Sequence, residues 1–243
     1  GVTGDYLERA KKLASYGVEV ICIDVAHGHH IMVERAIKSI KDKIDGVHIM
    51  AGNIPTLEAF NDLSDWGADS IRCGIGGGSI CSTRLQTGHG TPTMQTILDV
   101  SKTDRKSLII ADGGMKNSGD IVKMLAAGAD MVMVGSLLAG TEQTPGDVIL
   151  DSGGRKRKMY RGMASKGAQK DWRGKVSSIE GVSATVPYKG DVRNVIGELH
   201  VGIRSGLSYS GSRSIQELQN RASFVQQTVS GQAESSTHIM GRP

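Results

Sequence analysis

Asp69-Ser-Ile-Arg-Cys-Gly-Ile-Gly-Gly-Gly-Ser-Ile-Cys-Ser-Thr-Arg84 is the stretch from which the rest of the chain is read. A short β-type run over residues 70–73 passes straight into a glycine-rich loop, which ends on Cys81 with hydroxyls at Ser79 and Thr83. Glycines let the backbone adopt φ > 0 and let its N–H groups approach a ligand closely. A cysteine beside hydrogen-bond donors in such a loop is a candidate nucleophile. By itself the pattern also suits an ordinary strand-to-loop turn with a buried thiol, so the flanking sequence must decide.

Apolar runs of the same kind recur on both sides, over residues 18–25, 47–50, 107–111 and 129–134. They end in polar residues or glycine, at Asp24, Asn53, Asp112 and Gly135. Between them, apolar residues fall at helical spacing over residues 5–16, 31–43, 56–66, 93–102 and 118–127, with Asp5 as an N-cap and Gly17 as a stop. This alternation is a parallel βα pattern, and in a βα barrel the strand C-termini build the active site. A closed barrel needs eight strands, and five are visible before the pattern changes. The expectation is an α/β fold, a (β/α)8 TIM barrel whose first three βα units lie upstream of Gly1; a five-stranded open sheet is the alternative.

Beyond residue 140 the alternation lapses. Residues 147–158 read as a hairpin, and 165–175 as a polar insertion without apolar periodicity, the profile of a mobile loop. Residues 192–205 read as a last barrel helix and 216–222 as a short helix. The domain reading is therefore a barrel portion over residues 1–228, with a catalytic loop at 74–84 and a flap at 164–185, followed by a polar flexible tail over 229–243.

Composition narrows the class. The 33 glycines among 243 residues, with no repeat period, suit many tight βα turns. Aromatics make up only 4 %, so the core must be aliphatic, as in parallel sheets covered by helices. The net charge of +4 suits an anionic small ligand as well as nucleic acid and proves neither, and no specific nucleic-acid partner is expected. No apolar run approaches the ~18 residues of a membrane span. The three cysteines, Cys22, Cys73 and Cys81, are an odd set with two inside apolar runs, which argues against a disulfide framework and for a reducing, cytoplasmic setting.

Two segments read as phosphate grips, Ala111-Asp-Gly-Gly114 and Val134-Gly-Ser136, at the ends of adjacent strands and each expected to lead into a helix. Two tight turns without a ligand are the plainer reading. Asp112 is then free to take ribose hydroxyls, and Asp24 to take a cofactor ribose or amide. His27, His29 and His30 stand close together without matching ligands elsewhere, an unsuitable set for zinc.

Five motifs now stand in order: Gly74-Ile-Gly-Gly-Gly-Ser-Ile-Cys-Ser-Thr-Arg84, Ile110-Ala-Asp-Gly-Gly114, Met133-Val-Gly-Ser-Leu-Leu-Ala-Gly140, Tyr160-Arg-Gly-Met163 and Val186-Pro-Tyr-Lys-Gly190. Over nearly all of residues 1–228 the chain resembles the IMP dehydrogenase/GMP reductase family. The resemblance implies a TIM barrel, usually a homotetramer. In that family a cysteine attacks purine C2 of a bound nucleoside monophosphate, and a hydride moves to or from NADPH or NAD. It implies Cys81 as nucleophile with Thr83 beside it. Ser79, Gly114, Gly135, Ser136 and Tyr160 would hold the phosphate, Asp112 the ribose, and Gly162, Met163 and Glu180 the base. Asp24, Asn53 and Gly74 would line the nicotinamide side. The carbonyls of Gly76, Gly78 and Cys81 would hold a monovalent cation, K+ in many dehydrogenases.

The direction of the hydride turns on the flap. In the resembling family, dehydrogenases hydrolyse a covalent intermediate using a long flap with an adjacent Arg-Tyr pair. Reductases release ammonia, have a shorter flap, and carry a glutamate shortly after Tyr-x-Gly-Met. Here residues 167–179 are few and offer only Trp172-Arg173, and Lys189-Gly-Asp191 is reductase-like. Lys166 stands where the reductase glutamate is expected, and residues 24–29 and 231–235 look more like dehydrogenases. Gly77 and Thr93 replace a proline and a glutamine usual in the family. The reading is GMP reductase (GMP + NADPH to IMP and ammonia). IMP dehydrogenase (IMP + NAD + water to XMP) is the alternative, and a catalytically inactive nucleotide-binding sensor is a third.

Overall fold

The structure, a computed structural model, describes residues 1–174, 176 and 179–235. Its first part alternates helix and strand through α1 (Tyr6–Ser15), β1 (Val20–Asp24), α2 (Ile31–Lys43), β2 (His48–Ile54), α3 (Leu57–Asp65) and β3 (Ser70–Cys73). It continues through α4 (Thr83–Thr87), α5 (Thr93–Val100), β4 (Leu108–Asp112), α6 (Ser118–Ala126) and β5 (Met131–Met133). Strands β1 to β5 form one sheet, parallel throughout and paired in sequential order.

That order separates the two architectures left open by the sequence. Crossovers between parallel strands are right-handed, so repeating one in a single direction places every helix on the same face. A doubly wound open sheet reverses direction and covers both. The five strands are an arc of a barrel-type sheet, with β1 and β5 at its edges among the described residues.

Side-chain alternation makes the two faces chemically different. Ile21, Ile23, Ile49, Ala51, Ile71, Cys73, Ile109 and Ala111 are buried on the helix side. There they join Val33, Ala36, Ile37 and Ile40 of α2, whose spacing forms one apolar stripe, and Phe60 and Leu63 of α3. Each fully buried Ile, Leu or Phe contributes about 1.5–3 kcal/mol. The opposite face carries Val20, Cys22 and Asp24, all exposed, and the polar side chain of Arg72. Gly52 is required on this face: a Cβ there would lie 2.6 Å from the Arg72 Cβ.

The second part contains β6 (Val148–Leu150), β7 (Lys156–Arg161), α7 (Lys166–Arg173), β8 (Ser183–Pro187), α8 (Val192–Tyr209), α9 (Ile215–Arg221) and α10 (Val229–Glu234). The expected hairpin is present but gains β8 as a third antiparallel strand. The insertion read as an irregular loop holds α7. Ser165 caps it by accepting from the Ala168 N–H, Ala168 and Gln169 are buried, and Arg161 pairs with Asp171 at 2.6 Å. Two turns are too short to show periodicity.

Other expectations also change. Asp5 precedes α1 but its side chain makes no cap hydrogen bond. The last barrel helix runs on to Tyr209. Within the expected flexible tail, residues 229–234 are helical, capped by Thr228; residues 236–243 of that tail, and flap residues 175, 177 and 178, lie outside the described residues. Among the described residues no helix is long and apolar enough to cross a membrane.

Candidate active site

The strand C-termini open into a cleft of about 1000 Å³ lined by Asp24, Asn53, Gly74, Cys81, Asp112 and Glu180 among others. Three segments are laced together at its rim. The Ser82 N–H donates to the Glu180 carbonyl at 2.8 Å, the Val182 N–H to the Ile80 carbonyl at 3.0 Å, and the Glu180 N–H to the Ala164 carbonyl at 3.3 Å. The loop that carries Cys81 and the segments around Ala164 and Glu180 are thus one backbone network.

Within it the Cys81 thiol donates to Thr83 Oγ1 at 3.2 Å, and the Thr83 hydroxyl donates to Glu180 Oε2 at 2.8 Å. This is a continuous path for the thiol proton toward a carboxylate. Cys81 is exposed whereas Cys73 is buried. Burial pushes the Cys73 thiol far above the ordinary range, and its Sγ faces the Ile71 carbonyl at 3.4 Å. Of the two cysteines in the Asp69–Arg84 stretch, only the second can act as a nucleophile.

The missed residue is Arg72. Its guanidinium donates to Asp24 Oδ1 at 2.7 Å and to Asp112 Oδ2 at 3.1 and 2.8 Å, from Nε and one terminal nitrogen. Its side chain is 13 % exposed. Burial pulls its pKa down, but the charges of Asp112 and Asp24 outweigh this and hold it above the ordinary guanidinium value. Asn53 Nδ2 donates to the same Asp112 oxygen and to the Gly74 carbonyl, each at 2.8 Å; the Gly52–Asn53 peptide is cis. The second Asp112 oxygen remains for a ligand. An arginine inside an apolar strand was the available signal.

None of the predicted phosphate residues Ser79, Gly114, Gly135, Ser136 and Tyr160 is among those that line this cleft. A Cβ on Gly135 would stand 3.0 Å from the Tyr160 hydroxyl, and one on Gly113 would stand 3.1 Å from the Gly78 backbone nitrogen. The second grip is followed by a hydrogen-bonded turn, with the Leu138 and Ala139 N–H groups donating to the Gly135 carbonyl, and not by the expected helix. Ser79 is exposed, and Gly162 donates its N–H to the Val182 carbonyl. Met163 lines the cleft that holds Cys81.

The histidines hold the loop after β1. His29 contacts Asp62 at 2.7 Å and tilts against Trp66 at 5.8 Å, and His30 accepts from the Met32 N–H. Burial first, then the neighbouring His29, His89 and His30, hold His27 below the ordinary imidazole pKa. Among the described residues no cluster of three or more His, Cys, Asp or Glu could hold a metal. The basic run 155–158 is also absorbed: Arg155 pairs with Asp151, Lys156 lies over Tyr188, Arg157 bonds Thr185, and Lys158 is buried.

A family model described as IMP dehydrogenase / GMP reductase domain matches residues 1–238. The chain belongs to the IMP dehydrogenase/GMP reductase family. It is 42 % identical to an inosine-5'-monophosphate dehydrogenase from Nitrosopumilus maritimus (strain SCM1), across 98 % of this chain and 53 % of that protein. To the enzyme of the same name from Bacillus subtilis (strain 168) it is 44 % identical, across 98 % and 51 %. A crystal structure of a GMP reductase variant from Trypanosoma brucei, in complex with guanosine 5'-monophosphate, superposes with a TM-score of 0.94 at 42 % identity, across 98 % of this chain and 51 % of that one. The chain spans about half the length of the curated relatives it matches. Relatives of both names at similar identity establish this family's fold without choosing a reaction direction.

Proposed function

We propose that the chain is the catalytic portion of a purine nucleoside monophosphate oxidoreductase acting at C2 of the base, and that it runs as a GMP reductase. The Cys81–Thr83–Glu180 hydrogen-bond chain carries the proposal. The thiol proton passes through the Thr83 hydroxyl to Glu180, and the Cys81 thiolate attacks guanine C2, forming the S–C2 bond. The C2–N2 bond then breaks, and the proton held by Glu180 returns through Thr83 to the departing amine, which leaves as ammonia. Asp24, Asn53 and Gly74 would hold a reduced nicotinamide, which when bound would supply the hydride that ends on C2. Cys81 departs as thiolate with the S–C2 electron pair, leaving IMP, and is reprotonated by solvent.

The donor sets fit the groups this reading needs. Asp24, Asn53 and Gly74 line the same cleft as Cys81 and would hold NADPH, or NAD in the reverse chemistry. Ser79, Gly114, Gly135, Ser136 and Tyr160 would hold the phosphate, Asp112 the ribose, and Gly162, Met163 and Glu180 the base. The Gly76, Gly78 and Cys81 carbonyls suit a monovalent cation such as K+, since the set contains no carboxylate. Gly78 accepts one N–H, from Cys81 at 3.0 Å, and keeps a second lone pair. A homotetramer belongs to the same proposal.

The short flap, lacking an adjacent Arg-Tyr pair, supports the reductase direction. Lys166 at the expected glutamate position does not weigh against it, because Glu180 supplies a carboxylate at the thiol relay. IMP dehydrogenase is the second reading, favoured by the names of the relatives at 42 and 44 % identity. Incubation with GMP plus NADPH, and separately with IMP plus NAD, distinguishes them. Reduced-nicotinamide absorbance falls for a reductase and rises for a dehydrogenase. Nucleotide binding without any absorbance change leaves only the sensor.

A further inference from the structure

Behind the second phosphate grip, the Lys189 ammonium donates to the carbonyls of Ser136 and Leu137, each at 2.9 Å, while its backbone N–H donates to the Gly140 carbonyl at 2.8 Å. The Gly135–Ala139 segment is a single turn whose internal bonds use the Leu138 and Ala139 N–H groups. The N–H groups of Ser136 and Leu137 donate to no acceptor among the described residues. In a trans peptide plane the C=O and N–H point to opposite sides. With the Ser136 carbonyl drawn to Lys189, the Leu137 N–H faces away from it. Tyr160 stands against Gly135 of the same turn. A second lysine, Lys158, is buried and donates to the carbonyls of Thr141 and Glu142 at 3.3 and 3.2 Å and to that of Thr144, anchoring the chain just beyond.

We propose that Lys189 is a positioning residue for the nucleotide phosphate. Its ammonium holds the carbonyl side of the Gly135–Ala139 turn, so that the opposite N–H side meets the anion, and it places a positive charge behind that turn. The inference rests on the nucleotide reading above and goes beyond it, because Lys189 touches the turn and not the ligand. A cation on the carbonyl side of a turn reinforces the dipole that favours an anion on the other side. Lys189 is exposed along its length, and partial desolvation at the turn draws its pKa down.

The test is the ratio of guanosine to GMP dissociation constants, measured by calorimetry on the wild-type protein, Lys189→Met and Lys189→Arg. The Met variant lowers the ratio about fivefold with guanosine affinity within about twofold, and Arg retains it. In turnover, KM for the nucleotide rises while kcat holds. A Met variant that keeps the ratio, or an Arg variant that loses it as Met does, overturns the role. Should Lys189→Met fail to fold, Lys189→Gln keeps a donor without the charge and is read by the same ratio. A wild-type protein that binds GMP no better than guanosine instead overturns the nucleotide reading itself.

Discussion

Thr83 and Glu180 are 97 positions apart in the sequence and share a hydrogen bond of 2.8 Å. The contact joins the segment around Glu180 to the surroundings of Cys81, so the proposed loop chemistry and flap geometry cannot vary independently. Glu180→Gln preserves shape and hydrogen-bonding capacity but cannot store the thiol proton. Its kcat is expected to fall about 100-fold, a larger effect than any loss of nucleotide affinity from its contact with the base. Steady-state kinetics with calorimetric binding checks this, and an unchanged kcat removes the relay.

Cys81→Ala is expected to abolish turnover while leaving GMP binding intact, because in the proposed reaction the thiol supplies the bond to C2 and little of the binding surface. Cys73→Ala is expected to act on stability instead, since Cys73 is a buried member of the core. Absorbance assays and thermal melts on both variants separate the two roles.

Arg72→Met leaves Asp112, at 18 % side-chain exposure, without its cation. Removing one partner of a buried ion pair costs about 3 kcal/mol, which lowers Tm by about 10 °C in a chain of this size. KM for the nucleotide rises as well, because Arg72 and Asn53 together orient Asp112. A variant with wild-type Tm and KM contradicts the bridging role.

Asp69 accepts from the Ile49 N–H at 2.6 Å and pairs with Lys41 at 2.7 Å. Burial raises its pKa, but the Ile49 hydrogen bond and the Lys41 charge outweigh this, and the net shift is downward. A carboxyl whose folded pKa is depressed stabilises above its unfolded value, and that stability is lost as pH falls through it. The wild type therefore loses Tm more steeply than Asp69→Asn as pH drops below about 4. Parallel Tm–pH curves for the two proteins contradict it.

Gly140 has φ +88°, and a Cβ there would meet the Pro187 carbonyl oxygen at 2.2 Å. Gly140→Ala is expected to cost about 3 kcal/mol from backbone strain and overlap combined. It also displaces the Lys189 backbone bond, so weakened GMP binding should accompany the fall in Tm. Melts and calorimetry on the same preparation check both.

The strand ends were legible because parallel strands buried by helices leave runs of Ile, Val and Ala that stop at a polar residue or glycine. Asp24, Asn53, Cys81, Asp112 and Gly135 were read this way, and the structure brings the first four, but not Gly135, to the lining of one cleft. The α7 helix and strand β8 were not legible. Each is short, and each is held by partners distant in sequence: β7 for β8, and Arg161 for Asp171 of α7.

The sequence by itself determined the local order of strand, glycine loop and helix, because backbone preferences and side-chain periodicity act over a few residues. It also placed Cys81 in a loop where a thiol can react. Only the tertiary structure decided that Cys73 is sealed away while Cys81 is open. Register and loop lacing likewise joined Arg72 to both Asp24 and Asp112, and Glu180, not position 166, to the thiol relay. Those pairings depend on strand register and on how separated loops meet above the sheet, which no local pattern encodes.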